Sequence, residues 1–266
     1  MRVYVLGSGS SGNCLVVEAE GERLLLDAGI GPNRSVERMR GLGADFIASR
    51  PPLGVFVTHE HGDHAAQAAP IARALRAPIY AHERNPLPAA RKRFDVRAFV
   101  PGRAIALGPF VVETLLIPHD APQVAVRVAA SGSRIALATD LGHATRELQS
   151  FLGACDLVFL EANHCPGLLA SGPYPPRLQA RVAGPLGHLA NEEAAELARS
   201  LDDTRVSQLV LVHLSRTNNT PDRAQAAVAS RVRRLKVDTL PNGEPRRFDV
   251  RGQSSMYGAE QLSLWQ

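Results

Sequence analysis

Residues Thr58-His59-Glu60-His61-Gly62-Asp63-His64 place three imidazoles and two carboxylates within seven positions. Such a run is a poor core segment, because each ring nitrogen and carboxylate oxygen would lose its hydrogen bonds to water. It suits the coordination of divalent metal. Val55-Phe56-Val57 before it reads as a short buried strand bounded by Pro51, Pro52 and Gly54, and Ala65 to Ala69 after it opens a helix-forming stretch. The histidines therefore belong on a strand-to-helix loop, where functional residues collect. The spacing lets His59 and His61 reach one ion while Asp63 and His64 turn to a second. Three of the chain's nine histidines sit here, too dense a grouping for a chance solvated loop.

Composition sets the frame for that site. With 266 residues, 45% of them hydrophobic and 21% charged, the chain has ample material for a large globular core and none of the bias of a disordered one. A formal charge of +4 permits nucleic acid as a partner. Cys14, Cys155 and Cys165 form no C-x-x-C and are odd in number, which argues against a disulfide framework and for a reducing compartment. No apolar run approaches membrane-spanning length, so a soluble, cytoplasmic protein without membrane contact is expected.

Taken in order, Arg2 to Leu6 reads as a strand and is followed by Gly7-Ser8-Gly9-Ser10-Ser11-Gly12, a literal G-x-G-x-x-G. A dinucleotide site needs a helix directly after the glycines, whereas Leu15 to Glu18 reads as another strand, so that assignment fails. The turn can still offer backbone N–H groups to a phosphate. Asp27 closes the next strand, Arg23 to Leu26, where an acid can support the histidines from behind. Helices are expected over Ser35–Arg40, Ala65–Leu75, Asn191–Leu201 (capped by Asn191) and Pro221–Leu235. Strands are expected at 78–81, 110–117, 124–128, 133–138, 157–161 and, as the last core strand, 208–212. His82 reads as a surface histidine and Arg91-Lys92-Arg93 as a solvated face. His59, His61, His119, Asp140, His164 and His213 each fall just past an apolar strand, and loops from one sheet edge converge in space.

The order His59-x-His61-x-Asp63-His64, then His119, Asp140 and His213, resembles the metallo-β-lactamase superfamily over about 235 residues. Finer strings, Gly7 to Asn13, Leu26 to Gly29, Thr139 to Gly142, Glu161 to His164, Gly187 to Asn191 and His213 to Asn219, are similar to its YycJ/WalJ branch, regarded as metal-dependent 5′–3′ DNA exonucleases. Cys165 departs from the branch, where Asp is expected. The resemblance implies an α/β fold of αββα sandwich type and two divalent ions, zinc or manganese. His59, His61 and His119 would hold the first ion and Asp63, His64 and His213 the second, with Asp140 bridging. It implies hydrolysis of a phosphodiester by a metal-bound hydroxide, with Asp63 orienting the attacking oxygen. His188 and His164 would protonate the leaving oxygen or clamp the phosphate. Ser10, Asn13, Asn163, Arg177, Arg181, Asn191, Arg216, Asn218 and Asn219 are candidate DNA contacts.

From Pro241 the composition turns to Pro, Gly, Arg and Ser, so the expected organisation is a catalytic domain over 1–240 and a flexible tail over 241–266. The tail ends Gln261-Leu262-Ser263-Leu264-Trp265-Gln266, with the chain's only tryptophan. It is similar to the peptides by which bacterial repair and replication proteins dock on the sliding clamp, which makes Gln261, Leu262, Leu264 and Trp265 candidate partner contacts. The rival reading of the same scaffold is an RNA nuclease or a small-molecule phosphodiesterase or thioesterase.

Overall fold

Short β-branched runs and glycine turns dominate the first quarter of the sequence, and they pair into a sheet. In the computed structural model, which describes residues 1–46, 50–85, 87 and 94–252, two seven-stranded sheets pack face to face. The first carries β1 (Arg2–Gly7), β2 (Cys14–Ala19), β3 (Glu22–Leu26), β4 (Val55–Val57), β5 (Ile79–His82) and β6 (Val96–Phe99) side by side. The second runs through β7 (Ile105–Leu107), β8 (Phe110–Ile117), β9 (Gln123–Ala130), β10 (Ser133–Ala138), β11 (Leu157–Glu161), β12 (Gln208–Val212) and β13 (Lys236–Thr239). A last strand, β14 (Arg246–Asp249), closes the first sheet against β1.

The layering follows from period-2 alternation with both faces apolar. Val3 and Val5 of β1, Phe159 of β11 and Val210 of β12 point between the sheets. Tyr4 and Leu6 point outward, onto a layer that includes Met39 of α1 (Pro32–Gly41) and Ile71 of α3 (Ala68–Leu75). On the opposite outer face, Val158, Leu160, Leu209 and Leu211 meet three helices: α4 (Arg146–Gly153), α7 (Asn191–Leu201) and α8 (Pro221–Ala229). The result is the expected αββα sandwich. No helix among the described residues is long and apolar enough to cross a membrane.

β3 to β6 run parallel, as do β10 to β13, so each sheet presents several strand C-termini along one edge. That edge is where an α/β sheet builds ligand sites. Three residues just past those ends, Asp27 (φ 63°), Asp140 (φ 56°) and His213 (φ 56°), adopt the left-handed conformation. For residues with a Cβ this is uncommon, and it turns the chain sharply as each strand exits.

Several local expectations needed correction. The helix expected over Ala65–Leu75 is split into α2 (Gly62–Ala65) and α3, because Pro70 has no N–H to bond back and Gln67 N donates to Ala28 O instead. The helix expected to reach Leu235 stops at Ala229, because the Asp202 carboxylate takes the backbone N–H groups of Arg233, Arg234 and Leu235. The cap of α7 is Ala190, whose N–H is bonded by Glu193, and Asn191 lies inside the helix. β13 and β14 follow the strand taken as last. Residues 246–249 fall in the expected tail but form β14, since Arg-Arg-Phe-Asp buries Phe248 between the sheets. His82 is buried, its Nδ1 accepting from Arg84 N and its ring edge-on to Phe99. Arg91-Lys92-Arg93 and the Gln261 to Gln266 peptide lie outside the described residues.

Candidate active site

The histidine loop leaves β4 and is clasped from below by the glycine turn. Asn13 N donates to Asp63 O at 2.7 Å, Ala28 N to His64 O at 2.7 Å, and Gly29 N to Asn13 O at 2.8 Å. A Cβ at Gly29 would lie 1.8 Å from Asp63 O, so only glycine lets the two loops touch. The N–H groups of Gly9, Gly12 and Asn13 are all bonded within this clasp, which corrects their reading as phosphate donors. Asn13 itself reaches Asp63 through Nδ2 and sits 2.8 Å from His64 Nε2.

Four overlapping groups of ligand atoms gather above the clasp, the atoms of each lying within 4.8 Å of one another. His59, His61 and His119 form one, and Asp63, His64 and His213 another. His59, His64 and Asp140 form a third that straddles the first two, and Asp140 recurs in a fourth with Glu161, His188 and His213. The predicted ligands thus meet at one point, with Asp140 between the two triads.

Hydrogen bonds fix which nitrogen of each ring is free. His64 Nδ1 lies 2.7 Å from Asp27 Oδ2, His213 Nδ1 2.7 Å from Glu161 Oε1, and His119 Nδ1 3.3 Å from Gly187 O. Carboxylates and carbonyls only accept, so each Nδ1 carries a proton, and the Nε2 atoms of His64 and His213 turn inward toward Asp140 and Asp63. His61 is the mirror case: Nε2 faces Asp120 Oδ1 at 3.4 Å and Nδ1 faces His119 Nε2 at 3.3 Å. His119 Nε2 also lies 3.3 Å from Asp120 Oδ1, and the two facing ring nitrogens need a proton or a metal ion between them. His59 Nε2 is buried without any partner, and Asp140 Oδ2 sits 2.9 Å from His64 Nε2 without a hydrogen bond. Divalent metal fits this donor set.

The ionisation pattern agrees. Burial, helped by the His64 charge, pushes His59 down to about 2, so its imidazole is neutral and ready to coordinate. Burial opposes the charge on His64, but Asp140 and Asp27 outweigh it and raise the ring to about 10. Against the same burial, Asp140, Asp63 and Glu161 hold His213 well above its usual value. Asp63 and Glu161 stay ionised down to about 2, overcoming burial through the histidines bonded to them, and Asp140 is held well below the carboxylate range.

The other expected site residues divide. His188 stands at the cluster, Nδ1 3.0 Å from Glu161 and its ring in contact with those of His119 and His213. His164 does not: it lines a separate groove, and its backbone pairs with Ala190. Ser10 and Arg177 are exposed, and Arg216 bonds Ser11 near the clasp. Arg181 is tied to Asp120 at 2.6 Å and so braces the residue behind His61. Asn163, Asn191 and Asn219 are buried and bonded to one another's neighbourhood, Asn163 to His213 O and Asn219 to Asn191, Ala162 O and Asn163 O. They hold the strand ends together and face no open site. Asn218 is wholly buried, and Cys165 caps the short helix α5 (Pro166–Ser171). Glu161 and Asp120 had been passed over as individual residues, though a lone acid closing the apolar run Leu157 to Leu160 was a legible signal.

Comparison with known proteins gives the same lineage. The chain is 29% identical over 241 residues to the exodeoxyribonuclease WalJ of Streptococcus pneumoniae, covering 87% of this chain and 88% of the relative. It is 28% identical to the exodeoxyribonuclease YycJ of Bacillus anthracis, covering 86% and 88%. The metallo-β-lactamase fold protein YhfI of Bacillus subtilis superposes with a TM-score of 0.71 at 19% identity, over 93% of this chain and 98% of that one. The model of the metallo-beta-lactamase superfamily matches residues 7–206, and the chain belongs to that superfamily.

Proposed function

We propose that this chain is a metal-dependent exodeoxyribonuclease that removes nucleotides from DNA in the 5′ to 3′ direction. The observation that carries the reading is the pair of ligand triads, with Asp140 grouped with one histidine from each, in a chain whose relatives over most of their length are named exodeoxyribonucleases. His59, His61 and His119 would hold one ion and Asp63, His64 and His213 the other. Bound there, such ions polarise a phosphodiester and lower the pKa of water. Nitrogen-rich ligands with two carboxylates suit zinc or manganese.

The protein's own groups supply the rest. Asp63 keeps its carboxylate ionised and partly exposed, with Oδ2 3.3 Å from His213 Nε2, and would orient the attacking water by accepting a hydrogen bond from it. His188 has its pKa raised: burial opposes the charge, but Glu161 holds the proton on. It would donate that proton to the leaving 3′-oxygen. Arg216 and Ser11, at the mouth beside Asn13, would steady the strand's phosphates. The carboxyl-terminal Gln261, Leu262, Leu264 and Trp265 would tether the nuclease to the sliding clamp in the cytoplasm during DNA repair.

Digestion of 5′- and 3′-labelled single-stranded and duplex DNA with Mn²⁺ or Zn²⁺ tests this, with RNA as control. Stepwise release from the 5′ end is expected. Intact DNA beside cleaved RNA would overturn the DNA reading while leaving the metal centre. A clamp that ignores a peptide of residues 257–266 would remove the tether.

A further inference from the structure

Behind the His188 loop lies a groove of about 500 Å³ that the metal centre does not use. Its walls are Pro166, Leu169 and Ala170 from α5, and Ala180 and Ala183 from α6 (Pro176–Val182) and its end. Of its polar lining residues, His164, Gln179, Glu192 and Glu193, only His164 is buried. His164 is 98% buried by its 2% exposure, and its Nδ1 has no hydrogen-bond partner. Glu192, on the exposed first turn of α7, stands at the rim and makes no hydrogen bond or ion pair among the described residues.

The groove backs onto the segment that carries His188. Asn163 N donates to Leu189 O and Asn191 N to His164 O, so the groove wall runs alongside the segment that begins at His188. His188 N in turn bonds Val182 O at the end of α6. A largely apolar groove with a buried, unpartnered imidazole nitrogen in its wall and a free carboxylate at its rim matches a heterocycle with N–H groups on its edge. Phosphate is a poor match, because Glu192 and Glu193 would repel it.

We propose that this groove is a nucleobase subsite. Resting on the DNA-cleaving reading, it takes an unpaired base next to the scissile phosphate, its face against Leu169, Ala180 and Ala183 and its donor edge toward Glu192. A base can enter only after leaving its partner, so frayed and single-stranded ends are the preferred substrates.

The test uses the metal-loaded full-length chain and a phosphorothioate octanucleotide carrying 2-aminopurine at its 5′ end, followed by fluorescence. Burial of the base changes its emission on binding. Ala180→Phe fills the groove from an exposed helix position and is expected to weaken binding about tenfold, a loss of about 1.4 kcal/mol. Glu192→Gln, on an exposed turn that leaves the core untouched, is expected to weaken it several-fold and guards against a misfolded Ala180→Phe. An octanucleotide abasic at the 5′ end should compete poorly. Wild-type binding by both variants, or equal competition by the abasic strand, overturns the subsite. A groove that instead accepts an apolar peptide would show the same indifference to the base. Release of nucleotides from unmodified DNA is scored separately on the wild-type chain. Its absence strikes the nuclease reading, whereas its presence with unaffected variants strikes the subsite alone.

Discussion

One carboxylate, Glu161, serves two rings and two strands' ends. Its Oε1 lies 2.7 Å from His213 Nδ1 and 3.0 Å from His188 Nδ1, while Oε2 accepts from Leu141 N and Leu189 N. Glu161→Gln keeps the size but replaces one acceptor with a donor, so one ring must turn or lose its partner. Metal affinity should fall about 10–100-fold, as for other supports behind ligating histidines, and a chelator competition measures it. Unchanged affinity would mean that His213 is positioned by packing alone. A second prediction concerns protons. In the metal-free chain His64 titrates at about 10 and His213 well above its ordinary value, so both are charged at neutral pH. An ion needs their Nε2 lone pairs, so loading must expel protons and affinity must rise with pH. Calorimetry at pH 7 in buffers of different ionisation enthalpy should report net proton release. Net uptake would contradict the assigned ligands.

At the scale of elements, the glycine turn and β14 are the parts whose roles differ most from their appearance. Gly29→Ala drives a methyl into Asp63 O and should cost about 1–3 kcal/mol, seen as a lowered thermal midpoint. Truncation distinguishes body from tail. A chain ending at residue 252 should melt like the whole protein, whereas one ending at residue 240 loses β14 together with the core side chains Phe248 and Val250 and bares the edge of β1, and should melt well below it. The long apolar strands were legible because their alternation or continuity is strong over five residues or more. β14 was not, because two arginines and an aspartate surround its one buried phenylalanine and only pairing with β1 gives it a face. α8 was read too long for a related reason: Asp202 ends it, and Asp202 is distant in sequence.

For the molecule as a whole, the site was legible in outline because ligands cluster at strand ends, and strand ends can be read. The strand-end rule brought out His59, His61, His119, Asp140 and His213 but also His164, which lies apart, and only the family resemblance separated ligands from the rest. The supporting partners were harder to see. Which acid stands behind which ring depends on how the two sheets face, and so Asp120 behind His61 and Glu161 behind His213 emerged only with the fold. The same holds for Asn191 and Asn219, whose polar side chains look available in sequence and are spent on each other in the interior. The proposal is that the residues around Asp140 would hold the divalent metal that DNA cleavage needs, and one paired measurement addresses it. Wild-type and Asp140→Ala proteins are assayed together for bound metal and for release of nucleotides from 5′-labelled DNA. The account predicts about two ions per chain in the wild type, with metal loss and at least about a thousandfold lower release in the variant. An Asp140→Ala protein that degrades DNA at the wild-type rate would contradict it.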